Sequence, residues 1–299
     1  MTCHRAVKVL AGGFIAALAT LESQVSFFSS RAPPDDKNPH NSLPWALFSK
    51  VFQKKQQQEF PSPTPFQAHI DSKPVSVKPW NWNWDGRHPS VNELDGGRGD
   101  SSHHPRCSRH LIFIRHGQYV YANADSDCHL TQLGHEQLNY TGMRLKQLNF
   151  PYSALHYSTM TRAVESTEEV IKHITTARIE PTDLLREGAP YSLEPPLPYY
   201  QPTEEELKEE GGRIESAFKS YVHRPDPMQK EDSYEIFICH ANVIRYFVCR
   251  ALQIPPEAWI RFSLDHGSIT WLVVRSDGRV ILRWLGNSGH MPPDKISVQ

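Results

Sequence analysis

The second half of the chain alternates short apolar runs with segments in which apolar residues recur at helical spacing. The clearest run is Leu111 to Ile114, and a similar run extends from Ile236 to Cys239. Short runs rich in isoleucine and phenylalanine favour covered β-strands, whereas leucines three or four residues apart favour amphipathic helices. The predicted strands are 111–115, 154–157, 235–240, 268–274 and 279–285, and the predicted helices are 131–148, 163–174, 204–221 and 242–252.

This alternation predicts an α/β domain over residues 106–299. Strands that alternate with helices form a mainly parallel sheet with helices on both faces, a three-layer α/β/α arrangement. The last two strands are joined by Ser276-Asp277-Gly278, which is typical of a hairpin turn. Residues 183–202 are expected to form a loop, and Gly211-Gly212 are expected to interrupt the third helix.

Residues 1–30 have the pattern of a targeting segment. Arg5 and Lys8 precede an uncharged run from Val9 to Leu21. That run is shorter than the roughly 20 residues of a full membrane span. Counted from Ala6 to Phe28, with the Lys8 side chain snorkelling at one end, the segment would form a marginal span. The pattern predicts a mitochondrial targeting and membrane-anchor segment. The alternative is a cleaved secretory signal, because Ala17-Leu18-Ala19 fits a small-x-small cleavage site.

Residues 31–105 have the composition of a linker, with 11 of the 24 prolines and a run of glutamines. Such a segment buries too little apolar surface to offset its ordering entropy, which predicts a mostly disordered tether. Within it, Trp80, Trp82 and Trp84 would lie on one face of an extended backbone. Exposed indoles are costly in water. They are therefore expected either to dock on the chain's own catalytic domain or to fill a groove on another subunit.

Composition and charge exclude several classes of protein. The 299 residues carry a net charge of −1, which argues against a protein that mainly binds nucleic acid or anionic lipid. The five cysteines, at positions 3, 107, 128, 239 and 249, form no CxxC pair and leave an odd one over. A disulfide framework and a zinc site are therefore disfavoured, and no metal or other cofactor is predicted.

Arginine and histidine side chains lie at or just after the ends of three of the predicted strands. Arg115-His116, Arg162 and His240 each come after a separate strand. The carboxyl ends of parallel strands meet at one edge of a sheet, so these side chains are expected to converge on one pocket. Guanidinium groups offer paired donors to phosphate oxygens, and helix N-termini favour anions. The pocket is therefore predicted to bind a phosphate dianion.

The same residues predict a reaction. A neutral His116 could attack phosphorus if its other ring nitrogen donates to a backbone carbonyl. Arg115, Arg162 and a protonated His240 would then hold the equatorial oxygens during in-line transfer. Glu187, beside Gly188 on the predicted loop, is the candidate acid for the leaving group. Its pKa is expected to rise beside bound phosphate.

These motifs resemble those of the histidine phosphatase (phosphoglycerate mutase-like) superfamily. Arg115-His116-Gly117, Arg162, Glu187 and His240 occur in the superfamily's usual order. Longer stretches that extend the resemblance are 158–163, 184–190, 232–246 and 291–296. The resemblance covers residues 110 to 296 and implies a phosphoglycerate mutase-like fold without a metal. It also implies a mitochondrial, membrane-anchored protein serine/threonine phosphatase, with protein phosphohistidine as another substrate class.

The tryptophan stretch is similar to that family's Trp-Asp-Pro-Asn-Trp-Asp motif, which promotes multimer formation and activity. The matching residues are Trp80, Asn83, Trp84 and Asp85. Asn81 and Trp82 replace Asp and Pro, and loss of the proline's fixed φ is expected to loosen the motif. The resemblance implies self-association through Trp80, Trp82, Trp84 and Asp85. The family's Kelch-partner motif, Asn-x-Glu-Ser-Gly-Glu, is absent, so that partner is not predicted.

Three alternatives remain beside this hypothesis. Cys239 and Arg245 have the C-x5-R spacing of cysteine phosphatases, although the intervening residues lack a glycine and Val243-Ile244 favour a helix. The same phosphohistidine chemistry would also serve a phosphomonoesterase or mutase acting on a small phosphosugar acid. Finally, the protein could be a membrane-bound scaffold that binds phosphoproteins and has only secondary catalysis.

Overall fold

The computed structural model describes residues 78–87 and 107–298. The predicted anchor segment at 1–30 and most of the predicted linker at 31–105 lie outside these described residues. Within the described ranges, no helix combines the length and the apolar character needed to cross a bilayer. The account that follows concerns the C-terminal domain and the short stretch 78–87, here called the tryptophan segment.

A six-stranded sheet forms the centre of the described domain. Its strands are β1 (Ser108–Arg115), β2 (Tyr152–Ser158), β3 (Ile179–Thr182), β4 (Ser233–Cys239), β5 (Ile269–Arg275) and β6 (Val280–Asn287). Their spatial order is β3-β2-β4-β1-β5-β6. The first four strands in this order run parallel, while β5 and β6 are antiparallel to their neighbours. The prediction of a mainly parallel sheet is confirmed.

Helices cover both faces of this sheet. They are α1 (Gln132–Leu148), α2 (Thr161–Ile171), α3 (Glu204–Tyr221) and α4 (Ala241–Ala251). Successive residues of a strand point to opposite faces. Accordingly, Leu111 and Phe113 of β1 join a core with α3 and α4, whereas Ile112 and Ile114 join a second core with α1 and α2. The predicted three-layer α/β/α fold is confirmed, and β1 is buried on both sides.

Two local features differ from the prediction. The strand β3 was not expected, because its four residues include Pro181 and alternate between exposed and half-buried positions. Proline is tolerated there since β3 lies at the edge of the sheet. The interruption expected at Gly211-Gly212 is wrong, since α3 is continuous. A Cβ atom on Gly211 would lie 2.8 Å from the carbonyl oxygen of Pro190, so this glycine allows a close approach of the loop to the helix.

The tryptophan segment forms a turn. The backbone N–H of Asn83 donates to Oδ1 of Asn81 over 3.0 Å, and that of Arg87 donates to Oδ1 of Asp85 over 3.2 Å. Side-chain oxygens that accept from the backbone two residues further on bend the chain. The expectation that an extended backbone presents the three tryptophans on one face is therefore wrong.

Part of the tryptophan segment docks on the chain's own domain. The indole N–H of Trp84 donates to the carbonyl of Gly278 over 2.8 Å. The carboxylate of Asp85 accepts from Nε and Nη2 of Arg224, and both side chains are almost fully buried. Trp82, by contrast, is 45% exposed. Of the two expectations for the tryptophans, docking in cis describes Trp84 and Asp85, and self-association stays a prediction.

Replacing Asp85 by alanine is expected to destabilise the domain by about 3 kcal/mol, because it leaves the buried Arg224 guanidinium without its counter-charge. Chemical denaturation of the full chain measures this change in the free energy of unfolding. A Glu231→Ala variant removes an exposed carboxylate near β4 and should change stability by less than about 0.5 kcal/mol. Equal effects of the two variants would contradict the stabilising role of the Asp85–Arg224 pair.

Candidate active site

The carboxyl ends of β1, β4 and β2 lie side by side at one edge of the sheet. In the register of the parallel strands, Arg115 pairs with Cys239 and Tyr157 pairs with Ile238. His116 follows β1 directly and His240 follows β4 directly, whereas Arg162 lies in the first turn of α2, the helix that follows β2. The helices α2 and α4 begin at this same edge, so their N-termini add partial positive charge.

The backbone around His116 is held on both sides. Its N–H donates to the carbonyl of Cys239 over 3.0 Å, and its carbonyl accepts from the N–H of Gly267. Gly117 follows, and a Cβ atom there would lie 2.6 Å from the carbonyl oxygen of Gly134 in α1. A glycine is therefore required where β1 turns under α1. These contacts fix the position of the His116 ring.

The ring of His116 has one nitrogen engaged with the backbone and one directed at a guanidinium. Nδ1 lies 2.8 Å from the carbonyl oxygen of Gly117, which can only accept, so Nδ1 carries the proton. Nε2 is then the basic nitrogen, and Nε of Arg162 donates to it over 3.3 Å. Burial and the nearby positive groups hold the pKa of His116 well below 6.5. The neutral, Nδ1-protonated ring is the form that leaves Nε2 free to attack an electrophile.

Arg162 is set in place by two further groups. Its guanidinium lies over the ring of Tyr119, 4.7 Å from the ring centroid. Asp125 lies 3.5 Å from Nη1 and also accepts from the backbone N–H of Thr161. The Tyr119 ring meets the His116 ring edge-on. Tyr119 and Asp125 thus orient Arg162 toward His116 although neither was singled out from the sequence.

His240 lies beside His116 and is fully buried, with the two ring centroids 5.1 Å apart. Its Nε2 is 2.8 Å from the hydroxyl of Ser158, the last residue of β2. Burial, followed by the charges of Arg162 and Arg115, lowers the pKa of His240 well below 6.5. These surroundings favour a neutral ring at neutral pH, in contrast to the protonated ring expected from the sequence. Binding of a dianion would oppose this shift, because a negative charge raises the pKa.

Arg115 is buried at the end of β1 and is partly engaged by backbone carbonyls. Its Nη1 donates to Leu264 over 2.5 Å and to Val298 over 3.0 Å. Its Nε is buried and makes no hydrogen bond within the described residues. Desolvation lowers the pKa of Arg115 to about 10, and Glu187 opposes that shift, so the guanidinium stays charged at neutral pH. Arg115 also lines the cavity that contains His116.

Glu187 comes from the loop that follows β3. Nη1 and Nη2 of Arg213 hold this loop by donating to the carbonyls of Arg186 and Glu187. Desolvation by the surrounding protein raises the pKa of the Glu187 carboxyl above 4.5, and the charges of Arg162 and Arg115 oppose the shift. Burial alone thus raises this pKa, and the further rise expected beside a bound phosphate stays a prediction.

Four of the five residues predicted for catalysis line one cavity of about 680 Å³. They are Arg115, His116, Arg162 and Glu187. His240 packs against His116 at its inner wall. The residues predicted for oligomerisation, Trp80, Trp82, Trp84 and Asp85, do not line this cavity. The structure therefore brings the candidate catalytic groups together and leaves the tryptophan segment outside.

The cysteine phosphatase alternative conflicts with the surroundings of Cys239. The side chain is fully buried in the core formed with α3 and α4. Burial raises the pKa of its thiol far above the ordinary value of 9.0. A nucleophilic cysteine needs a thiolate and an accessible sulfur atom. In the described part of the chain, no group of histidine, cysteine and acidic residues is arranged to hold a metal ion.

Comparison with known proteins places the chain in a family. Residues 111–286 match the family model of the histidine phosphatase superfamily (branch 1). The chain belongs to this superfamily. The serine/threonine-protein phosphatase PGAM5, mitochondrial, of Xenopus tropicalis is 48% identical over 236 residues, which cover 75% of this chain and 84% of the relative. The protein of the same name from Homo sapiens is 48% identical over 230 residues, or 73% of this chain and 80% of the relative.

A solved structure shows a similar sequence relationship. A phosphoglycerate mutase from Plasmodium falciparum is 33% identical, with a TM-score of 0.45, and the match covers 62% of this chain and 96% of that chain. The expected resemblance to histidine phosphatases is confirmed by the family match and by the identities above. The sequence pattern found four of the cavity residues, whereas Tyr119, Asp125 and Ser158 were identified only from the structure. Arg245 was considered from the sequence only as part of the C-x5-R alternative.

Proposed function

We propose that the protein is a mitochondrial protein serine/threonine phosphatase that works through a phosphohistidine intermediate on His116. The observation that supports this most strongly is the state of the His116 ring. Its Nδ1 faces the carbonyl of Gly117, and its Nε2 meets Arg162 at the wall of a cavity. This is the arrangement that attack of a neutral imidazole on a bound phosphate requires. The names of the relatives support the substrate class.

The first chemical step transfers the phosphoryl group to the enzyme. Nε2 of His116 forms a bond to phosphorus as the bond to the serine or threonine oxygen breaks. The departing oxygen takes the proton of Glu187, so the product alcohol leaves neutral. In the second step a water molecule attacks phosphorus and the P–N bond breaks. The Glu187 carboxylate accepts a proton from that water, which restores both groups and releases inorganic phosphate.

Fixed positive groups stabilise the transition state of both steps. Arg162 lies against Nε2 of His116. Arg115 lines the same cavity, and not all of its guanidinium donors are hydrogen-bonded within the described residues. The N-terminus of α2 begins at Thr161, directly before Arg162. Charge on the equatorial oxygens is best met by donors that need no rearrangement during the reaction. His240 lies beside His116 with its Nε2 at the Ser158 hydroxyl, and a bound dianion would raise the lowered pKa of its ring.

The membrane and assembly parts of the proposal rest on the sequence. We propose that residues 1–30 target and anchor the protein at a mitochondrial membrane, as their basic and apolar pattern indicates. We further propose that the tryptophan segment supports self-association. Trp82 is the exposed ring of that segment, and Arg279 lies 5.7 Å from its centroid, which provides a flat apolar and cationic surface.

The substrate class is tested by comparing phosphoserine and phosphothreonine peptides with a phosphohistidine peptide and with 3-phosphoglycerate. We expect release of inorganic phosphate from the phosphoserine and phosphothreonine peptides by the full chain. Turnover of 3-phosphoglycerate alone would favour the small-molecule phosphomonoesterase or mutase. Binding of phosphopeptides without turnover would favour the phosphoprotein scaffold. Either result would contradict the proposed function.

The rate toward phosphoserine peptides is expected to fall as the pH rises through the pKa of Glu187. A general acid acts only while protonated, and desolvation moves the pKa of this carboxyl upward from 4.5. Burial, together with nearby positive groups, holds the pKa of His116 well below 6.5, so the nucleophile is neutral at neutral and alkaline pH. The measurement is the pH profile of kcat for the wild-type protein and for Glu187→Gln.

The Glu187→Gln variant should lose this alkaline decline, with kcat lower by about 10²–10³-fold at low pH. p-Nitrophenyl phosphate provides the matched control, because its leaving group departs without a proton. The burst of p-nitrophenol release reports the first step alone, so its rate should be impaired far less in the variant, whereas the shared second step still needs Glu187 as a base. An equal loss in the rate of the first step on both substrates would contradict the role of Glu187 as the acid for the leaving group.

A further inference from the structure

The catalytic cavity carries more positive charge than one phosphate neutralises. Its lining, among the described residues, includes Arg115, Arg162, Arg245 and Arg261, but Glu187 is its single carboxylate. A phosphomonoester contributes about two negative charges. Buried charges are costly unless they are paired. With substrate bound, the cavity therefore retains an excess positive charge that a second anionic group would balance.

Arg245 is the best-placed carrier of that excess. It lies on α4, lines the cavity, and stays close enough to Glu187 and Arg115 for electrostatic interaction. Its Nη1 donates to Oδ1 of Asn242 over 3.3 Å, and Nδ2 of Asn242 donates to the carbonyl of Gly188 over 3.2 Å. This chain of hydrogen bonds holds the guanidinium at the cavity wall beside the Glu187 loop.

Within residues 78–87 and 107–298, one buried donor of Arg245 lacks a hydrogen-bond partner. Its Nε is buried and makes no hydrogen bond within the described part of the chain. A buried charged donor without a partner is costly unless a ligand pairs with it. No carboxylate contacts Arg245 within salt-bridge distance among the described residues. By contrast, Arg250 on the same helix is paired with Glu215 over 2.8 Å.

The walls of the cavity around Arg245 suit a peptide. Tyr199 and Tyr121 line its opening and are each 85% exposed. Phe262 and Tyr200 contribute further aromatic surface. The volume of about 680 Å³ leaves space for residues next to a phosphorylated side chain. Aromatic walls with a few convergent charged groups are typical of sites that fix the orientation of a ligand.

We propose that Arg245 binds the side-chain carboxylate of an aspartate or glutamate adjacent to the phosphorylated residue, so that acidic phosphopeptides are the preferred substrates. This inference rests on the proposed phosphatase function. In the bound state the phosphate occupies the Arg115, His116 and Arg162 end of the cavity, and the neighbouring carboxylate pairs with Arg245. A charge-assisted hydrogen bond of this kind corresponds to a preference on the order of ten-fold in kcat/KM.

The test uses two phosphoserine peptides that differ only by glutamate or glutamine on both sides of the phosphoserine. We expect the wild-type protein to favour the glutamate peptide by about ten-fold in kcat/KM. In Arg245→Gln the ratio of the two kcat/KM values should fall to about one. Both kcat/KM values in this ratio are measured on the same variant, so a general loss of its activity lowers both and leaves the ratio unchanged. Arg245→Lys should retain part of the preference.

Arg275→Gln is the matched control. It removes the same charge from an exposed residue at the end of β5 that pairs with Ser108, and thus at the opposite edge of the sheet from His116. This variant should keep the wild-type ratio. A lower ratio in Arg275→Gln as well would overturn the proposal, since long-range charge would then explain the preference.

Other outcomes separate the inference from the function on which it rests. If neither peptide is hydrolysed, the proposed function fails. If both are hydrolysed at equal kcat/KM, the phosphatase function stands and the role of Arg245 is refuted. Arg245→Gln that slows both peptides equally would mean that Arg245 only positions Glu187. Two further results would refute recognition of a peptide carboxylate by Arg245. One is that the protein favours only a peptide with a second phosphoserine, and the other is that it favours only 3-phosphoglycerate.

Discussion

Replacement of His116 by alanine is expected to abolish release of phosphate from phosphoserine peptides, with a loss on the order of 10⁵-fold or more. In the proposed mechanism this variant lacks the atom that receives the phosphoryl group, and the neighbouring His240 is not among the residues that line the cavity. His240 is fully buried, and its Nε2 is engaged by Ser158. The measurement is kcat under saturating peptide, with circular dichroism to show that the variant is folded.

His129→Ala is the matched control for that variant. His129 is an exposed histidine that pairs with Glu165 outside the cavity, so its loss should leave turnover near the wild-type value. If His116→Ala were folded and kept a substantial part of the activity, the nucleophile would have to be another residue. If His129→Ala were equally inactive, the loss would reflect instability rather than chemistry.

Replacement of Arg162 by alanine is expected to lower kcat by about 10³-fold with a smaller change in KM. Arg162 donates to Nε2 of His116, the proposed nucleophile, so its guanidinium lies where charge on the transferred phosphoryl group would develop. An interaction that strengthens in the transition state affects kcat more than ground-state binding. The experiment is steady-state kinetics on one phosphoserine peptide for Arg162→Ala and Arg162→Lys.

The lysine variant should recover little of this loss, because an ammonium group cannot reproduce the planar, paired donors of arginine. Arg178→Ala provides the control, since Arg178 is exposed and contacts only Glu180 among the described ion-pair partners. A loss confined to KM would mean that Arg162 binds substrate without acting on the transition state. An unchanged rate would remove Arg162 from the site altogether.

The fold could be predicted where pattern and burial agree. The run at 111–115 forms β1, which is covered on both faces, so its four apolar residues carried a strong signal. The edge strand β3 was missed because its four residues contain no apolar run and include Pro181, and its pairing with β2 is set by tertiary contacts. Gly211 was misinterpreted for the same reason, since its role depends on Pro190, which lies on another segment.

The candidate site shows a similar limit. Residues placed directly after buried strands, such as His116 and His240, could be identified from their position in the sequence. Residues that orient other site residues could not be identified in this way. Tyr119 and Asp125 contact Arg162 only because the loop before α1 folds back toward it. The charge of His240 was also beyond sequence reasoning, since it depends on burial and on which arginines lie nearby. The turn in the tryptophan segment depends on side-chain oxygens that compete with extended backbone.

The central claim is that a phosphoryl group is carried by His116. The most direct measurement is to quench the full-length protein during turnover of a ³²P-labelled phosphoserine peptide and to map the label. We expect an acid-labile, base-stable label on the peptide that contains His116, and no label on that peptide in His116→Ala. A label that survives acid, or one that maps to Cys239, would contradict the account.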